Sequence, residues 1–208
     1  MLFSEFISKV NHYQNSELGG WKSQIKLAPK IRKSYTEEMI LSKHPKRAAV
    51  LALFYPDEQN ETTFLLTKRA SYKGLHAAQI SFPGGKPTSK DKNLQYTALR
   101  EAYEETALCS KKVKIIRQLS NTYIPPSNFL VAPFLAFCNY KPAFVPNYEV
   151  GSLIEVSVSN LLDNKNLTNH SPNTLHIKKT EVPCFKLNNY MVWGATAMIL
   201  SEIKDLLK

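Results

Sequence analysis

The sequence has few of the features that mark secreted, membrane-bound or thiolate-ligated proteins. Its 208 residues include three cysteines, Cys109, Cys138 and Cys184, which lie far apart and form no Cys-x-x-Cys pair. This argues against a disulfide framework and against a thiolate zinc site. The first residues, MLFSEFISKV, carry Glu5 and no long apolar core, and no apolar run approaches the roughly 18–20 residues of a membrane span. We therefore expect a cytoplasmic protein without a membrane partner.

Linkers and internal repeats are also lacking. No Gly/Ser-rich or Pro-rich stretch divides the chain, and its length and 43% hydrophobic content suit one sizeable core. We expect a helical or irregular N-terminal extension, residues 1–45, followed by one domain at residues 46–208. Two roles stay open for the extension: pairing two copies as a homodimer, and covering the pocket.

The chain is basic, with a formal net charge of +10, and this charge attracts anions of several kinds. The lysines are scattered rather than grouped in blocks of five or six, and no stripe of basic and aromatic residues is apparent. A nucleic-acid partner is therefore not expected. Phosphorylated metabolites stay open as partners, as does the plain alternative that the charge serves solubility.

Strands alternate irregularly with helices along the chain. The apolar run 48–55 predicts a strand buried on both faces, and 62–69 predicts its returning hairpin partner. Further strands are predicted at 78–82, 113–119, 129–138, 150–158, 181–187 and 190–194, with a loop at 121–128 and helices at 3–14, 94–108 and 195–207. Pro133 predicts a sheet edge or a bulge. This order favours an α/β or α+β sandwich with a mixed sheet.

The predicted helix 94–108 carries three glutamates in an unusual position. On a helical wheel of about 100° per residue, Glu101 and Glu105 fall within about 60° of the buried Ala98, and Glu104 lies about 120° away. Glutamates on a solvent-exposed face would instead lie opposite Ala98. Carboxylates at i and i+4 repel each other unless a cation lies between them, and oxygen ligands suit Mg²⁺ or Mn²⁺. The pattern favours a metal site, and glutamates held by lysines at a helix edge are the alternative.

A Pro-Gly-Gly turn, residues 83–85, precedes this helix. Glycines let the backbone approach a bound group closely. Such a loop ahead of a helix offers carbonyls to a cation or amides to a phosphate. Because the same tripeptide also forms ordinary turns, its weight lies in the combination with the glutamates.

The combination resembles the Nudix box, the signature of hydrolases that cleave a nucleoside diphosphate linked to another group. The general box is Gly-x5-Glu-x7-Arg-Glu-U-x-Glu-Glu-x-Gly-U, where U is aliphatic. Gly85 matches its first glycine, and the run from Arg100 to Glu105 matches its core. The resemblance implies an α/β fold, a Nudix-type α/β/α sandwich with a mixed β-sheet, over the domain at 46–208. It also implies Mg²⁺ or Mn²⁺ as cofactor and a small nucleotide-type substrate.

The flanks of the box are similar to the coenzyme A pyrophosphatase branch of that family. The stretch LLTKRASYKGLHAAQISFPGGK (65–86) has the branch's Leu-Leu-Thr-x-Arg start and Phe-Pro-Gly-Gly end. Asp91 and TALREA (97–102) fit the branch's longer box. The stretches 127–137, 149–163 and 193–200 are also similar, so the resemblance covers roughly residues 45–205.

Three positions depart from the branch pattern. Gly74 stands where the branch has an arginine, and Ala78 stands where it has a glycine. Both lie in the motif associated with coenzyme A. They therefore leave the identity of the substrate open, and the Nudix assignment does not depend on them. Thr106-Ala107 replaces the aliphatic-glycine pair that ends the box, which concerns the end of the helix rather than catalysis.

The resemblance implies roles for the box residues. Glu101 and Glu105 are the predicted metal ligands, together with the carbonyl of Gly85, and Glu104 completes the site directly or through water. Arg100 is predicted to orient a glutamate, because its fork suits carboxylates, and a surface arginine is the alternative. Arg100 and the three glutamates form the predicted catalytic set.

Substrate contacts and the general base are predicted more loosely. Lys68, Arg69 and Lys86 flank the start of the box and could meet substrate phosphates, with a solvated surface role as the alternative for each. Glu149 is a candidate general base or substrate contact, although one of the box glutamates could equally be the base. The loop 123–128 is a further candidate for lining the pocket.

The predicted function is hydrolysis of the pyrophosphate bond of a nucleoside diphosphate derivative. The branch resemblance implies coenzyme A or acyl-coenzyme A, cleaved to 3′,5′-ADP and (acyl-)phosphopantetheine. A hydrolase of ADP-ribose or of a dinucleotide is the alternative within the family. A non-catalytic nucleotide sensor on the same fold is the alternative of another class, and the complete set of Arg100 and three glutamates argues against it.

Overall fold

A computed structural model of the protein describes residues 1–70, 79–172 and 181–208. The strands of this part of the chain form a larger mixed sheet and a smaller antiparallel sheet. They are β1 (Lys46–Pro56), β2 (Thr62–Arg69), β3 (Ile80–Ser81), β4 (Gly84–Gly85), β5 (Lys114–Gln118), β6 (Thr122–Ile124), β7 (Phe129–Phe137), β8 (Val150–Ser157), β9 (Leu167–His170), β10 (Val182–Leu187) and β11 (Tyr190–Trp193).

The helices are short in the N-terminal part of the chain and longer in two later places. They are α1 (Phe3–Ser8), α2 (Val10–Asn15), α3 (Gly20–Gln24), α4 (Lys30–Lys33), α5 (Glu37–Ser42), α6 (Leu94–Thr106), α7 (Val158–Leu162) and α8 (Gly194–Leu206). Short 3-10 turns lie at Ile25–Leu27, Ser110–Lys112, Pro125–Ser127 and Asn164–Asn166. Among the described residues, no helix is both long and apolar enough to cross a bilayer.

The larger sheet is mixed, as predicted. Its strand order is β3-β2-β1-β7-β5, with β4 also paired to β1, β6 to β7 and β8 to β2. β1 and β7 run parallel from the pair Lys46–Phe129 to the pair Phe54–Phe137. The predicted hairpin of β1 and β2 is confirmed by their antiparallel pairing.

Two apolar cores lie on opposite faces of this sheet, because successive side chains of a strand point to opposite sides. Phe54 of β1 packs into the core that contains Ile199 and Ile203 of α8. Its neighbour Leu53 packs into the core that contains Ala98 of α6. Helices therefore cover both faces, and the predicted α/β/α sandwich is confirmed.

The N-terminal 45 residues contain α1 to α5 and pack on the core beneath α8. Phe6 and Tyr13 are fully buried there. The single helix predicted at 3–14 is instead two, because the backbone of Lys9 departs from helical geometry, with φ −97° and ψ 1°. The guanidinium of Arg117 in β5 donates hydrogen bonds to the carbonyls of Tyr13 and Ser16, which fixes the end of α2 to the sheet.

Two further segments differ from the prediction. Gly84 and Gly85 form a short strand on β1 rather than only a turn, with register partners Val50 and Ala49. The strand predicted at 78–82 is present as β3, and Ala78 lies outside the described residues. The segment predicted as a loop at 121–128 contains β6, which pairs with β7.

Pro133 lies in a central strand, so the predicted edge is wrong; the irregularity in the β5–β7 ladder falls between Ile115 and Arg117 of β5 and not at Pro133. It is aligned with Val50 in the parallel ladder, and its carbonyl accepts a hydrogen bond from the N–H of Leu119. β5 pairs with β7 as far as Phe134, and β6 takes over at Val131. Pro133 thus lies where β7 changes its partner from β5 to β6. At that position neither strand needs the backbone N–H donor that proline lacks.

Candidate active site

Helix α6 presents the predicted catalytic residues, and local sequence sets both of its ends. The side chain of Asn93 caps the first turn by accepting a hydrogen bond of 2.8 Å from the N–H of Tyr96. Ala98 and Ala102 are fully buried against the sheet and therefore fix the rotation of the helix. The helix ends at Ala107, which adopts the left-handed conformation with φ 56° and ψ 22°.

Two glycines of β4 lie against two glutamates of α6. The N–H of Gly84 donates a hydrogen bond of 3.1 Å to the carboxylate of Glu105. A Cβ atom at Gly85 would lie 2.5 Å from the carboxylate of Glu101, so only glycine leaves room for that side chain. The Pro-Gly-Gly segment and the helix thus meet where the sequence predicted a metal site.

The electrostatics of this pair are unfavourable without a cation. The pKa of Glu105 is raised to about 7, chiefly by burial; the hydrogen bond from the Gly84 N–H lowers it, and the charges of Glu101 and Glu149 raise it. Burial also raises the pKa of Glu101, and the neighbouring Arg100 opposes this rise. Partly buried carboxylates that repel one another are typical of sites that bind cations or transfer protons.

Glu149 reaches this site from the segment just before β8. Its carboxylate pairs with Arg69 at 3.3 Å, and its carbonyl accepts a hydrogen bond of 2.8 Å from the N–H of Ala70. Both charged side chains are exposed. The charge of Glu149 contributes to the raised pKa of both Glu101 and Glu105.

Arg100 is the centre of a charged network beside the pair. Its Nε and Nη2 donate to the two carboxylate oxygens of Asp91, at 2.8 and 2.9 Å. Its Nη1 donates to Glu104 at 2.9 Å, and its Nη2 also bonds the carbonyl of Lys86 at 3.0 Å. An ion pair of 3.0 Å joins Arg100 to Glu101. One guanidinium therefore holds residues from the glycine segment and from α6 in fixed relation.

Asp91 is the residue whose role sequence reasoning missed. Its side chain is 1% exposed, and besides Arg100 it accepts hydrogen bonds from the Thr97 hydroxyl and the Thr88 N–H. Hydrogen bonds from Arg100 hold the pKa of Asp91 well below its usual range. The sequence does place Asp91 in the longer box, but its spacing alone did not indicate that Arg100 is its hydrogen-bond partner.

Comparison with known proteins decides the family. A model of the NUDIX domain matches residues 45–168. The chain belongs to the Nudix hydrolase family. It is 33% identical over 164 residues to the uncharacterised Nudix hydrolase NudL of Yersinia pestis, covering 76% of this chain and 78% of that protein. It is 31% identical over 163 residues to Nudix hydrolase 15, mitochondrial, of Arabidopsis thaliana, covering 75% of this chain and 56% of the plant protein.

A solved structure supports the Nudix fold. The MutT/nudix family protein from Enterococcus faecalis aligns over 85% of this chain and 71% of its own, with a TM-score of 0.53 and 14% identity. The predicted Nudix fold and the predicted class, a Nudix hydrolase, are thereby confirmed. Members of this family act on small nucleotide-type substrates and generally use divalent metals such as Mg²⁺ or Mn²⁺.

The described residues supply some, but not all, of the ligands that such a metal needs. Glu101 and Glu105 are neighbouring carboxylates with raised pKa values beside a glycine backbone. Glu104 lies apart from them, with its side chain 49% exposed and its carboxylate on Arg100. Within residues 1–70, 79–172 and 181–208, no three His, Cys, Asp or Glu side chains form a ready-made metal cluster. A cation here would therefore need backbone oxygen or water besides the glutamate pair.

The other predicted substrate contacts are distributed around the Nudix site. Lys68 lies on the face of β2 that carries Phe64, and its ammonium lies 5.8 Å from the centre of the Tyr190 ring. The ammonium of Lys86 lies 5.4 Å from the centre of the Phe129 ring. Neither lysine contacts the glutamate pair among the described contacts. Gly74 and Ala78, on which the substrate prediction depends, lie outside the described residues.

Proposed function

We propose that this Nudix hydrolase cleaves the pyrophosphate bond of a nucleoside diphosphate derivative, with coenzyme A or acyl-coenzyme A as substrate. The observation that carries the proposal is the Glu101–Glu105 pair packed against Gly84 and Gly85. Both glutamates are raised in pKa, as expected of carboxylates placed for a cation rather than for solvent. The products would be 3′,5′-ADP and phosphopantetheine or its acyl form.

Glu101 and Glu105 would hold Mg²⁺ or Mn²⁺ together with the carbonyl of Gly85, and Glu104 would contribute through water. When bound, the metal supplies neutralisation of the pyrophosphate charge and activation of the attacking water. Arg100 fixes the carboxylates of Glu101 and Glu104 by charge-assisted hydrogen bonds, so neither has to be ordered when the substrate arrives.

Glu149 is the proposed general base. It lies near the glutamate pair, carries no metal role in this proposal, and its side chain is 40% exposed, which leaves it open to water. Its carboxylate pairs with the exposed Arg69, which is in turn available to a substrate phosphate. Lys86 is a second proposed phosphate contact, because it directly follows Gly85 and is exposed.

Coenzyme A is the first candidate substrate because the sequence around the box resembles the coenzyme A pyrophosphatase branch. ADP-ribose or a dinucleotide is the second candidate, since Gly74 and Ala78 depart from the motif of that branch. The widely spaced cysteines support a reducing, cytoplasmic compartment for either substrate.

Product analysis tests the proposal. Purified protein is incubated with Mg²⁺ or Mn²⁺ and, separately, with coenzyme A, acyl-coenzyme A, ADP-ribose, NADH and diadenosine polyphosphates. We expect 3′,5′-ADP and phosphopantetheine from coenzyme A. Glu105→Gln should lose this activity, and Glu58→Gln, a control on an exposed glutamate of the β1–β2 turn, should keep it.

Each other outcome changes a different part of the proposal. Cleavage of ADP-ribose or a dinucleotide alone would keep the chemistry and discard coenzyme A. Full activity of Glu105→Gln would refute the site. Metal binding without cleavage of any substrate would favour the nucleotide sensor.

A further inference from the structure

Helix α4 in the N-terminal segment carries a buried arginine, Arg32. Arg32 is 6% exposed, and its guanidinium lies between two aromatic rings, 4.5 Å from the centre of Trp21 and 5.7 Å from the centre of Tyr123. Its Nη1 donates a hydrogen bond of 3.3 Å to the carbonyl of Tyr35. Its Nε is buried without a hydrogen-bond partner among the described residues.

Within residues 1–70, 79–172 and 181–208, no carboxylate forms an ion pair with this arginine. Segments 71–78 and 173–180 contain no aspartate or glutamate, so every acidic residue lies in the part of the chain that the structure describes. The ion pairs of that part do not include Arg32. Burial lowers the pKa of Arg32, yet an arginine stays protonated at neutral pH. Buried charges are normally paired, and an anionic ligand would pair with this one.

Arg32 lines a cavity of about 170 Å³ with a mainly apolar wall. The wall also includes Ile80, Tyr123, Pro125, Trp193 and Met198. A cavity of roughly 150 Å³ holds one benzene ring, whereas pockets for whole drug-sized ligands measure roughly 300–1,000 Å³. The cavity therefore suits one aromatic group and one anion, which is a part of a nucleotide-type molecule rather than the whole.

Short stretches of chain connect this cavity to the candidate active site. Ser81 lines it, and Gly85, which faces Glu101, follows four residues later, so at most about 14 Å of extended chain separates them. Ile124 also lines it and is the register partner of Phe129, over whose ring the Lys86 ammonium lies. One substrate would have to span this distance to occupy both places.

We propose that Arg32 binds a phosphate on the nucleoside ribose of the substrate, outside the pyrophosphate that is cleaved, while the base occupies the apolar cavity. This inference rests on the proposed function, because 3′,5′-ADP is the half of coenzyme A that carries both an aromatic base and such a phosphate. The acyl-phosphopantetheine half offers no anion beyond the scissile linkage. The N-terminal segment would then be part of the substrate site and would determine its specificity.

Binding without metal tests the inference independently of catalysis. The chain has two tryptophans, Trp21 on Arg32 and Trp193 in the cavity wall, so tryptophan fluorescence reports ligand entry. We compare 3′,5′-ADP with 5′-AMP, which lacks the second phosphate. Wild type should bind 3′,5′-ADP roughly 10- to 100-fold more tightly, as expected for a charge-assisted hydrogen bond.

Three variants identify the residue responsible. Arg32→Gln should abolish the preference, and Arg32→Lys, which keeps the charge and loses the fork, should keep part of it. Lys33→Gln, a matched charge removal at the exposed neighbouring position, should keep all of it. An unchanged preference in Arg32→Gln, or an equal loss of affinity for both ligands, would overturn the proposal and leave Arg32 a packing residue.

Kinetics separate this inference from the proposed function. For wild type, kcat/KM should be higher for coenzyme A than for dephospho-coenzyme A, which lacks the ribose phosphate. In Arg32→Gln this ratio should fall to about one, mainly through KM for coenzyme A. If neither compound is hydrolysed, the proposed function fails, and the binding comparison still decides the role of Arg32. If both are hydrolysed with an unchanged ratio, the function stands and this inference fails.

Discussion

Replacement of Gly85 by alanine should disable the enzyme without unfolding it. The new Cβ atom would lie 2.5 Å from the carboxylate carbon of Glu101, and ordinary contact begins at 3.4 Å. The carboxylate must therefore move by about 0.9 Å, because it is the flexible end of a side chain and the strand is not. Gly85 needs no left-handed backbone, so alanine adds no strain there.

The expected loss of activity follows from that displacement. A misplacement of about 1 Å in a catalytic constellation costs roughly 100-fold in rate, which is about 2.7 kcal/mol of transition-state stabilisation. The free energy of unfolding should change by less than about 1 kcal/mol, since glycine-to-alanine replacement at a compatible site restricts the unfolded chain.

Gly84→Ala is the matched control, because its Cβ atom would lie 2.3 Å from the backbone carbonyl oxygen of Ala49. Here the backbone of β1 or β4 must move, so stability should fall by several kcal/mol. Urea denaturation and kcat/KM are measured for both variants. The reasoning is refuted if Gly85→Ala keeps activity within about threefold of wild type, or if it unfolds as readily as Gly84→Ala.

Three further outcomes follow from single residues. Because Glu105 has its pKa raised from 4.5 to about 7, the folded metal-free protein loses stability as pH rises through this range, by about 3 kcal/mol at most. In EDTA, Glu105→Gln should therefore be more stable than wild type at pH 8 and nearly equal at pH 5, and equal thermal stability at pH 8 would contradict this. Asp91→Asn should lower the free energy of unfolding by about 2–4 kcal/mol in urea titrations, because Arg100 loses a buried partner with two hydrogen bonds. Ala107→Gly should raise it by about 0.5–1 kcal/mol with unchanged turnover, because φ 56° favours glycine; a loss of stability would show that the helix end is not strained.

Helix α6 could be predicted because the information that specifies it is local. The spacing of Ala98, Glu101 and Glu105 places two carboxylates beside the buried face, and the structure shows both partly buried against β4. The same wheel places Glu104 further round, and its side chain is indeed exposed. A helical period needs only the residues of the helix itself.

Features that depend on distant partners could not be predicted. Pro133 is accommodated where β5 gives way to β6, and neither strand marks that change by its own composition. The N-terminal helices have four to six residues, which is too short to show a clear period. The burial of Arg32 depends in part on Tyr123, which is more than 90 positions away along the chain.

The parallel pairing of β1 with β7 also limits how early a nascent chain can fold during synthesis. It joins Lys46 to Phe129, which are 83 positions apart, and helix α6 lies inside the loop that this pairing closes. Such distant pairings form slowly, because the entropy of closing the loop is lost before the contacts are gained. On the ribosome, a nascent chain that has not yet released Phe137 would have no complete sheet on which to dock α6. The candidate metal site, formed by β4 and α6, would therefore assemble only after β7 has emerged.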